Sequence, residues 1–295
     1  MKIAIFGYGF ISRNIVLEFS KRNHEIVVIS KNIVQEDKIP DVTFIKFDLS
    51  KENFDYIPIL DFDVAIHLVN VGVPGNNDIN NNTNDFHILE KTLNISSNAR
   101  IKKFVLFSSA SVYGDSYDFP ISEDSMLLGS SEYAKTRIKM EEHVRNYFNN
   151  QKDNFLILRP SNPFGPFQTK QGIIYKILNS AKLNETIKID NAGESIRDFI
   201  FIEDVVDMIE MLLKNKCDYD TYNLSSSKGI SLNDLIKLIE SLGIDVENNI
   251  EIDKTYNRKS ISVLSNKRIM AELNDLRFHS IKEGLIKTNN WIKSD

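Results

Sequence analysis

The sequence predicts an α/β protein built on a doubly wound parallel sheet, and three observations point there. Short apolar runs recur along the chain without polar alternation, the mark of strands covered on both faces. Stripes of apolar residues at helical spacing separate those runs. The opening segment reads strand, glycine turn, helix, strand, which is a βαβ unit.

The elements follow in order. Lys2–Phe6 is an apolar run stopped by Gly7. Ile11, Ile15, Val16 and Phe19 then recur at helical spacing, and Glu25–Ile29 is a β-branched run. Val42–Phe47, Val64–Val69, Phe104–Phe107 and Phe155–Leu158 continue the series of strands. After Arg159-Pro160 the pattern loosens. Strand-like Thr186–Ile189 and Phe199–Ile202 interleave with helical Ile173–Leu183 and Asp204–Leu213. Thr221–Leu224 comes next, then a helix from Ser231 that is capped with Asp234 and ends at Gly243. The expected division is a first domain over 1–160 and a smaller α/β region over 161–295, with some of its elements returning to the first. The second region is expected to close a cleft at the carboxyl ends of the strands, where ligands bind in open α/β sheets.

Composition narrows the function. A chain of 295 residues holds one large α/β domain, or a large one with a smaller one attached. At 42% hydrophobic and 26% charged residues it is globular rather than disordered. Lys and Arg total 36 against 41 Asp and Glu, for a net charge of −5 and no basic block. That argues against general nucleic-acid binding. Cys217 is the one cysteine, so there is no internal disulfide and no cysteine zinc site, and the five histidines show no ligand spacing. No metal is expected. The cysteine count fits a reducing cytoplasm. No signal-peptide core precedes the first glycines, and no apolar run approaches the roughly 20 residues a membrane span requires. The asparagine-rich run 76–84 reads as a solvated loop or helix start, with a substrate lid as the alternative.

Gly7-Tyr8-Gly9-Phe10-Ile11-Ser12 follows a strand and opens a helix. Gly7 permits the tight turn, and Gly9 lets backbone approach a pyrophosphate seated on the helix N-terminus. Ser12, where a third glycine is usual, is still small enough for close packing. At the start of a βαβ unit this reads as a dinucleotide-binding turn of the Rossmann type, with a plain tight turn as the alternative. At the end of the second strand an acidic residue would bind the adenosine ribose. The chain has Ser30-Lys31-Asn32 there, so no carboxylate repels a 2′-phosphate and Lys31 can pair with one, unless it is a plain surface lysine. NAD and NADP both stay open. Asp48, in Phe47-Asp48-Leu49, is the candidate for the adenine amino group, and Leu49 and Leu68 are further cofactor candidates.

Phe104–Phe107 delivers Ser108-Ser109-Ala110-Ser111-Val112-Tyr113-Gly114 to the carboxyl edge of the sheet. Tyr133, Arg137, Met140, Val144 and Phe148 then form one helical stripe, so Tyr133 and Arg137 face inward with the core. A buried arginine needs a partner, and a phenolate, a cofactor ribose or a carboxylate would serve.

With these segments the chain resembles the extended short-chain dehydrogenase/reductases, specifically NAD-dependent nucleotide-sugar epimerases of the UDP-glucose 4-epimerase type. The resemblance covers nearly the whole chain. It rests on the Gly7 turn, His67-Leu68-Val69 with Val73-Pro74-Gly75, Ser108–Gly114 and the Tyr133 segment. Leu158–Pro166, Arg197-Asp198-Phe199-Ile200 and Tyr222-Asn223-Leu224 continue it. The resemblance implies that Tyr133 is the base taking a proton from the sugar hydroxyl while hydride leaves for the nicotinamide. It implies that Ser109 hydrogen-bonds that hydroxyl, with Ser111 beside it. The family's lysine four residues after the tyrosine, which holds the nicotinamide ribose and makes the phenol more acidic, is here Arg137. A free phenol ionises near pH ~10, so a base useful near neutrality needs roughly 4 kcal/mol of differential stabilisation, much of which a shielded cation within about 5 Å supplies. Arg137 keeps the charge but points its donors differently. The readings left open are a working or slow enzyme, a protein that binds without efficient turnover, and compensation by Lys135 or Lys139.

Family dehydratases carry an Asp-Glu pair after the catalytic Ser/Thr. Ala110-Ser111 stands there instead, which leaves 4-epimerisation or reduction of a 4-keto sugar by NADPH. The expected partner is a nucleotide-diphosphate sugar, whose phosphates the resemblance assigns to Asn162, Arg197 and, more loosely, Arg258. Asn162 also reads as turn chemistry before Pro163, and Arg197 as a salt bridge to Asp198 or Glu194. A homodimer through the stretches Asn84–Ser97 and Ser131–Phe148 is the family's usual assembly.

Overall fold

The computed structural model describes residues 1–33, 39–51, 61–69, 79–99, 101–114, 119–183, 185–189, 193–253, 260–273 and 276–294. The chain divides into two compact units. The first gathers 1–114, 125–159 and 215–222, and the second gathers 115–124, 160–214 and 223–295.

In the first unit the apolar runs become β1 (Lys2–Phe6), β2 (Glu25–Ser30), β3 (Val42–Lys46), β4 (Val64–His67), β5 (Lys103–Phe107) and β6 (Phe155–Pro160). Counting strands along the whole chain, Thr221–Leu224 is β10, and the seven-stranded sheet runs β10-β6-β5-β4-β1-β2-β3. Thr221–Leu224 therefore belongs to the first sheet, beyond Arg159-Pro160 though it lies. The pairs β1–β2, β2–β3, β1–β4, β4–β5 and β5–β6 are parallel. Strand order reverses after β3, which returns the chain to the far side of β1 and gives the doubly wound arrangement. The inner strands β4 and β6 are buried along their whole length. The edge strand β3 is not, and Thr43 and Lys46 are exposed. An apolar run alone does not separate an edge strand from a central one, because the sheet neighbour that covers a strand is set by topology.

The helices α1 (Phe10–Lys21), α2 (Ile79–Asn98) and α3 (Glu132–Tyr147) complete this unit. Helix α3 starts where Ser131 Oγ accepts the Ala134 N–H at 3.1 Å, and it buries Tyr133, Ala134, Arg137, Met140, Glu141 and Val144. Helix α2 buries Asp85, Ile88, Leu89, Thr92, Leu93 and Ser96, a stripe at helical spacing.

The second unit holds β7 (Asn162–Phe164), α4 (Ile173–Leu183), β8 (Ile187–Ile189), β9 (Ile196–Phe201), α5 (Ile202–Lys214), β11 (Gly229–Ser231), α6 (Leu232–Ser241), β12 (Ile250–Ile252), β13 (Ile261–Ser262), α7 (Lys267–Glu272) and α8 (Ile281–Ser294). Strand β9 is its centre, antiparallel to β11 and parallel to β13 and β7. The apolar run expected to end as strand at Ile202 turns there into α5. Ser231 caps α6 by accepting the Asp234 N–H at 3.0 Å. Asp198 on β9 is fully buried. Its Oδ1 accepts from Ser226 N and Oγ at 3.1 and 2.7 Å, and its Oδ2 accepts from Leu264 N at 3.2 Å. Burial pushes its carboxyl up to about 6 against these hydrogen bonds. Among the described residues no helix is long and apolar enough to cross a membrane.

Candidate active site

The glycine turn opens a cavity of about 400 Å³ in the first unit, lined among others by Gly7, Gly9, Ser30, Lys31, Asp48, Leu49 and Leu68. Gly7 holds φ +95°, and a Cβ there would stand 3.0–3.2 Å from the backbone of Leu68 and Val69, so only glycine fits. Gly9 is different: a Cβ would meet nothing within 4 Å. That open space lies at the head of α1, where Ser12 Oγ accepts the Gly9 N–H at 2.6 Å and returns a bond to the Gly9 carbonyl at 3.1 Å. Phe10 and Ile11 form the first turn of α1. They do not line the cavity; what they present to an anion is the backbone N–H groups of a helix start. The cradle fits a dinucleotide pyrophosphate.

Asp48 Oδ1 accepts from Ser50 N and Oγ at 3.0 and 2.6 Å. The Ser50 bonds hold its carboxyl below the usual range, with smaller help from Lys31 and Lys51. Lys31 itself is exposed at the cavity rim.

Strand β5 ends at Phe107 and is followed by Ser108 and Ser109. Ser109 caps the 3-10 turn Ala110–Tyr113, and its Oγ accepts from Ser111 N at 3.2 Å and Ser111 Oγ at 3.0 Å. These bonds fix both hydroxyls on one short turn. On α3, Tyr133 is 4% and Arg137 2% exposed, so the helical stripe does face inward. The Arg137 Cζ lies 5.1 Å from the Tyr133 ring centroid. The carboxylate that the sequence allowed as a partner for this buried arginine is Asp85 on α2, whose Oδ2 accepts from Arg137 Nη2 at 3.0 Å. Sequence reasoning missed Asp85. A signal existed, because Asp85 is in phase with Ile88, Leu89, Thr92 and Ser96, and an acid on a buried stripe implies a buried cation.

His67 closes β4 next to this pair. The Thr92 hydroxyl gives its proton to the Ile88 carbonyl at 2.9 Å. The 3.1 Å contact of Thr92 with His67 Nδ1 is therefore one that His67 donates. Burial pushes the imidazole down to about 3, and the Arg137 charge adds to the effect. A second buried network lies in the same unit. Arg159 binds both oxygens of Glu141, at 3.0 and 2.6 Å, and donates to the Tyr113 hydroxyl at 2.9 Å. Ser108 Oγ donates to Glu141 at 2.5 Å.

In the second unit Asn162 is in β7, paired with Phe199. It donates to the Asp198 carbonyl at 2.9 Å, which replaces the turn reading. Arg197 Nη1 donates to the carbonyls of Ile196 and Ser260, each at 2.9 Å. No ion pair to Asp198 or Glu194 forms among the described residues, since Asp198 is occupied by Ser226 and Leu264. Arg258 and Val73-Pro74-Gly75 lie outside the described residues.

Residues 3–225 match the model of the NAD dependent epimerase/dehydratase family. The chain is 29% identical over 290 residues to a dTDP-4-dehydro-6-deoxyglucose reductase of Escherichia coli, an alignment covering 90% of this chain and 89% of that one. It is 26% identical over 216 residues to the human dTDP-D-glucose 4,6-dehydratase, covering 67% of this chain and 58% of that enzyme. A UDP-N-acetylglucosamine 4-epimerase from Methanobrevibacter ruminantium shares the fold at a TM-score of 0.86 and 23% identity, over 99% and 98% of the two chains. A reductase and a dehydratase thus stand among the relatives, while the family match extends over residues 3–225. The chain belongs to the NAD dependent epimerase/dehydratase family.

Proposed function

We propose that the chain transfers hydride at C4 of a nucleotide-diphosphate sugar, as a 4-epimerase with Tyr133 as its base. The observation that carries this is a buried phenol and a buried guanidinium, 5.1 Å from ring centroid to Cζ, in the fold of this family. A bound nicotinamide supplies the hydride acceptor and donor. Tyr133 takes the proton of the C4 hydroxyl and returns it after the sugar has turned. Ser109 hydrogen-bonds the same oxygen, its own orientation fixed by Ser111. Arg137 places a positive charge beside the phenol ring. Asn162 and Arg197 take the diphosphate, and Arg197 suits the role because its described contacts are to carbonyls, which leave its charge uncompensated. Ala110 and Ser111 place no acid beside Ser109, which disfavours elimination of water. The protein is further proposed to work in the cytoplasm as a homodimer joined through α2 and α3.

One observation favours a second reading, a 4-keto-sugar reductase using NADPH. Lys31 lines the cofactor cavity where a carboxylate would otherwise select NAD, and a relative matched over 89% of its length has a reductase's name.

The deciding experiment releases small molecules from the purified protein, then offers UDP- and dTDP-hexoses and follows C4 configuration by proton NMR. Retained NAD with interconversion of the C4 epimers is the expected result. An empty protein that oxidises NADPH with a nucleotide 4-keto sugar selects the reductase. Tyr133→Phe is expected to lower kcat by roughly 10²–10⁴-fold with NAD binding kept, and undiminished turnover overturns the mechanism.

A further inference from the structure

We propose that Asp85 is a positioning residue of this site: its buried carboxylate holds the Arg137 guanidinium over Tyr133 and so determines where the site's cation acts. The inference rests on the hydride-transfer reading above.

A guanidinium at 2% exposure needs a counter-charge close by. Asp85 provides it at 3.0 Å, with both side chains inaccessible to solvent. The two residues come from different helices, Asp85 from α2 and Arg137 from α3, so their pairing also fixes those helices relative to each other. Arginine is a planar fork. Anchoring Nη2 on Asp85 orients the remaining nitrogens, and Nη1 already points to Met140 Sδ at 3.6 Å. The result is a cation 5.1 Å from the centre of the Tyr133 ring. His67, the other titratable group here, stays neutral because burial pushes it down to about 3. Among the described residues, the groups that face Arg137 include Tyr133 and Met140 on its own helix, Asp85 on α2 and His67 on β4.

Arginine and aspartate are then a matched pair. A lysine at 137 has one compact ammonium and no fork. Asp85 would draw that ammonium to itself and away from the phenol. A lysine there works only when the residue at 85 is uncharged.

The test compares Asp85→Asn, Arg137→Lys and the double variant with wild type, each checked for folding by thermal melt. Asp85→Asn is expected to lower kcat about tenfold or more at a KM within about threefold of wild type. Arg137→Lys alone is expected to fall similarly. The double variant is expected to recover to within about threefold of wild type, which simple loss of structure does not produce. In protein with 15N-labelled arginine, the Arg137 guanidinium signals, identified by their loss in Arg137→Lys, should exchange slowly with solvent. They should exchange more than about tenfold faster in Asp85→Asn, while those of Arg159 stay unchanged as an internal control. If Asp85→Asn keeps wild-type kcat, or the double variant is no better than Arg137→Lys, the proposal is overturned. A wild type without C4 hydride transfer overturns the functional reading instead. Guanidinium exchange then decides the anchor by itself: acceleration in Asp85→Asn upholds it, and no change refutes it. Should Asp85→Asn fail to fold, the comparison of Arg137→Lys with the double variant decides the question.

Discussion

Among its described residues the first unit contains two buried arginines, each beside a tyrosine and a carboxylate, and they are built differently. Arg159 is held at both oxygens of Glu141, gives a further bond to the Tyr113 hydroxyl, and lies 5.0 Å from that ring's centroid. Burial alone would lower its pKa, but the bonds and charge of Glu141 raise it above the ordinary arginine value. Arg137 reaches Asp85 through Nη2 and lies over the ring of Tyr133 at nearly the same distance, 5.1 Å. The first arrangement ties the phenol oxygen into a network spanning β5, β6 and α3 and so cements the sheet to its helix. The second places charge against a ring at the head of a helix, which suits a reacting phenol. Similar residue types are therefore held differently: Arg159 bonds the phenol oxygen of Tyr113, whereas Arg137 faces the ring of Tyr133.

Two variants sharpen that contrast. Glu141→Gln leaves Arg159 buried without its counter-charge and should cost roughly 3–5 kcal/mol of stability. Asp85→Asn strips the buried Arg137 of a counter-charge held through one nitrogen rather than two, and should cost less, about 3 kcal/mol. Urea denaturation of both variants checks the order, and equal losses would erase the distinction.

A pH-dependent effect separates the two units. His67 in the first is pushed down to about 3. Between that value and its unfolded value near 6.5 the unfolded chain binds the extra proton, so His67 costs the folded state stability as pH falls through this window, roughly 1.4 kcal/mol per pH unit. Asp198 in the second unit is pushed up to about 6 from 3.8. There the folded state binds the extra proton, and stability falls as pH rises from about 3.8 to 6. His67→Gln should flatten the loss on the acid side, and Asp198→Asn should remove the opposing slope. Denaturation curves between pH 4 and 7 read both, and slopes of the opposite sign would refute the assignment.

The smallest stability effect is expected at the glycine turn, where it splits from function. Gly7→Ala is strained and crowded and should cost more than about 1 kcal/mol. Gly9→Ala has room in the free protein and should change stability by no more than about 0.5 kcal/mol, yet weaken NAD roughly tenfold by filling the pyrophosphate cradle. Thermal melts with and without NAD decide, and an unweakened Gly9→Ala would move the cofactor elsewhere.

Much of this was legible in the residues. The inner strands β1, β4, β5 and β6 follow from their apolar runs, since a strand covered on both faces has no polar side to show. The inward direction of Tyr133 and Arg137 follows from their phase with Met140 and Val144, because helical geometry is local. The edge position of β3 and the return of β10 to the first sheet do not follow, since both depend on which strand lies next to which. Ile202 was read as strand because a β-branched residue after Phe199–Phe201 suits either element, and tertiary packing made it the first residue of α5.

By itself, then, the sequence determined the βαβ start, the glycine turn, the family, and the presence of a buried phenol and cation four residues apart. Those properties are periodic or local, and a chain carries them whatever it packs against. The tertiary structure alone decided that the cation's partner is Asp85, 52 positions away, and that Arg197 binds carbonyls instead of an acid. Pairing between distant side chains depends on how two helices or a strand and a loop come to lie together, and no spacing along the chain encodes it.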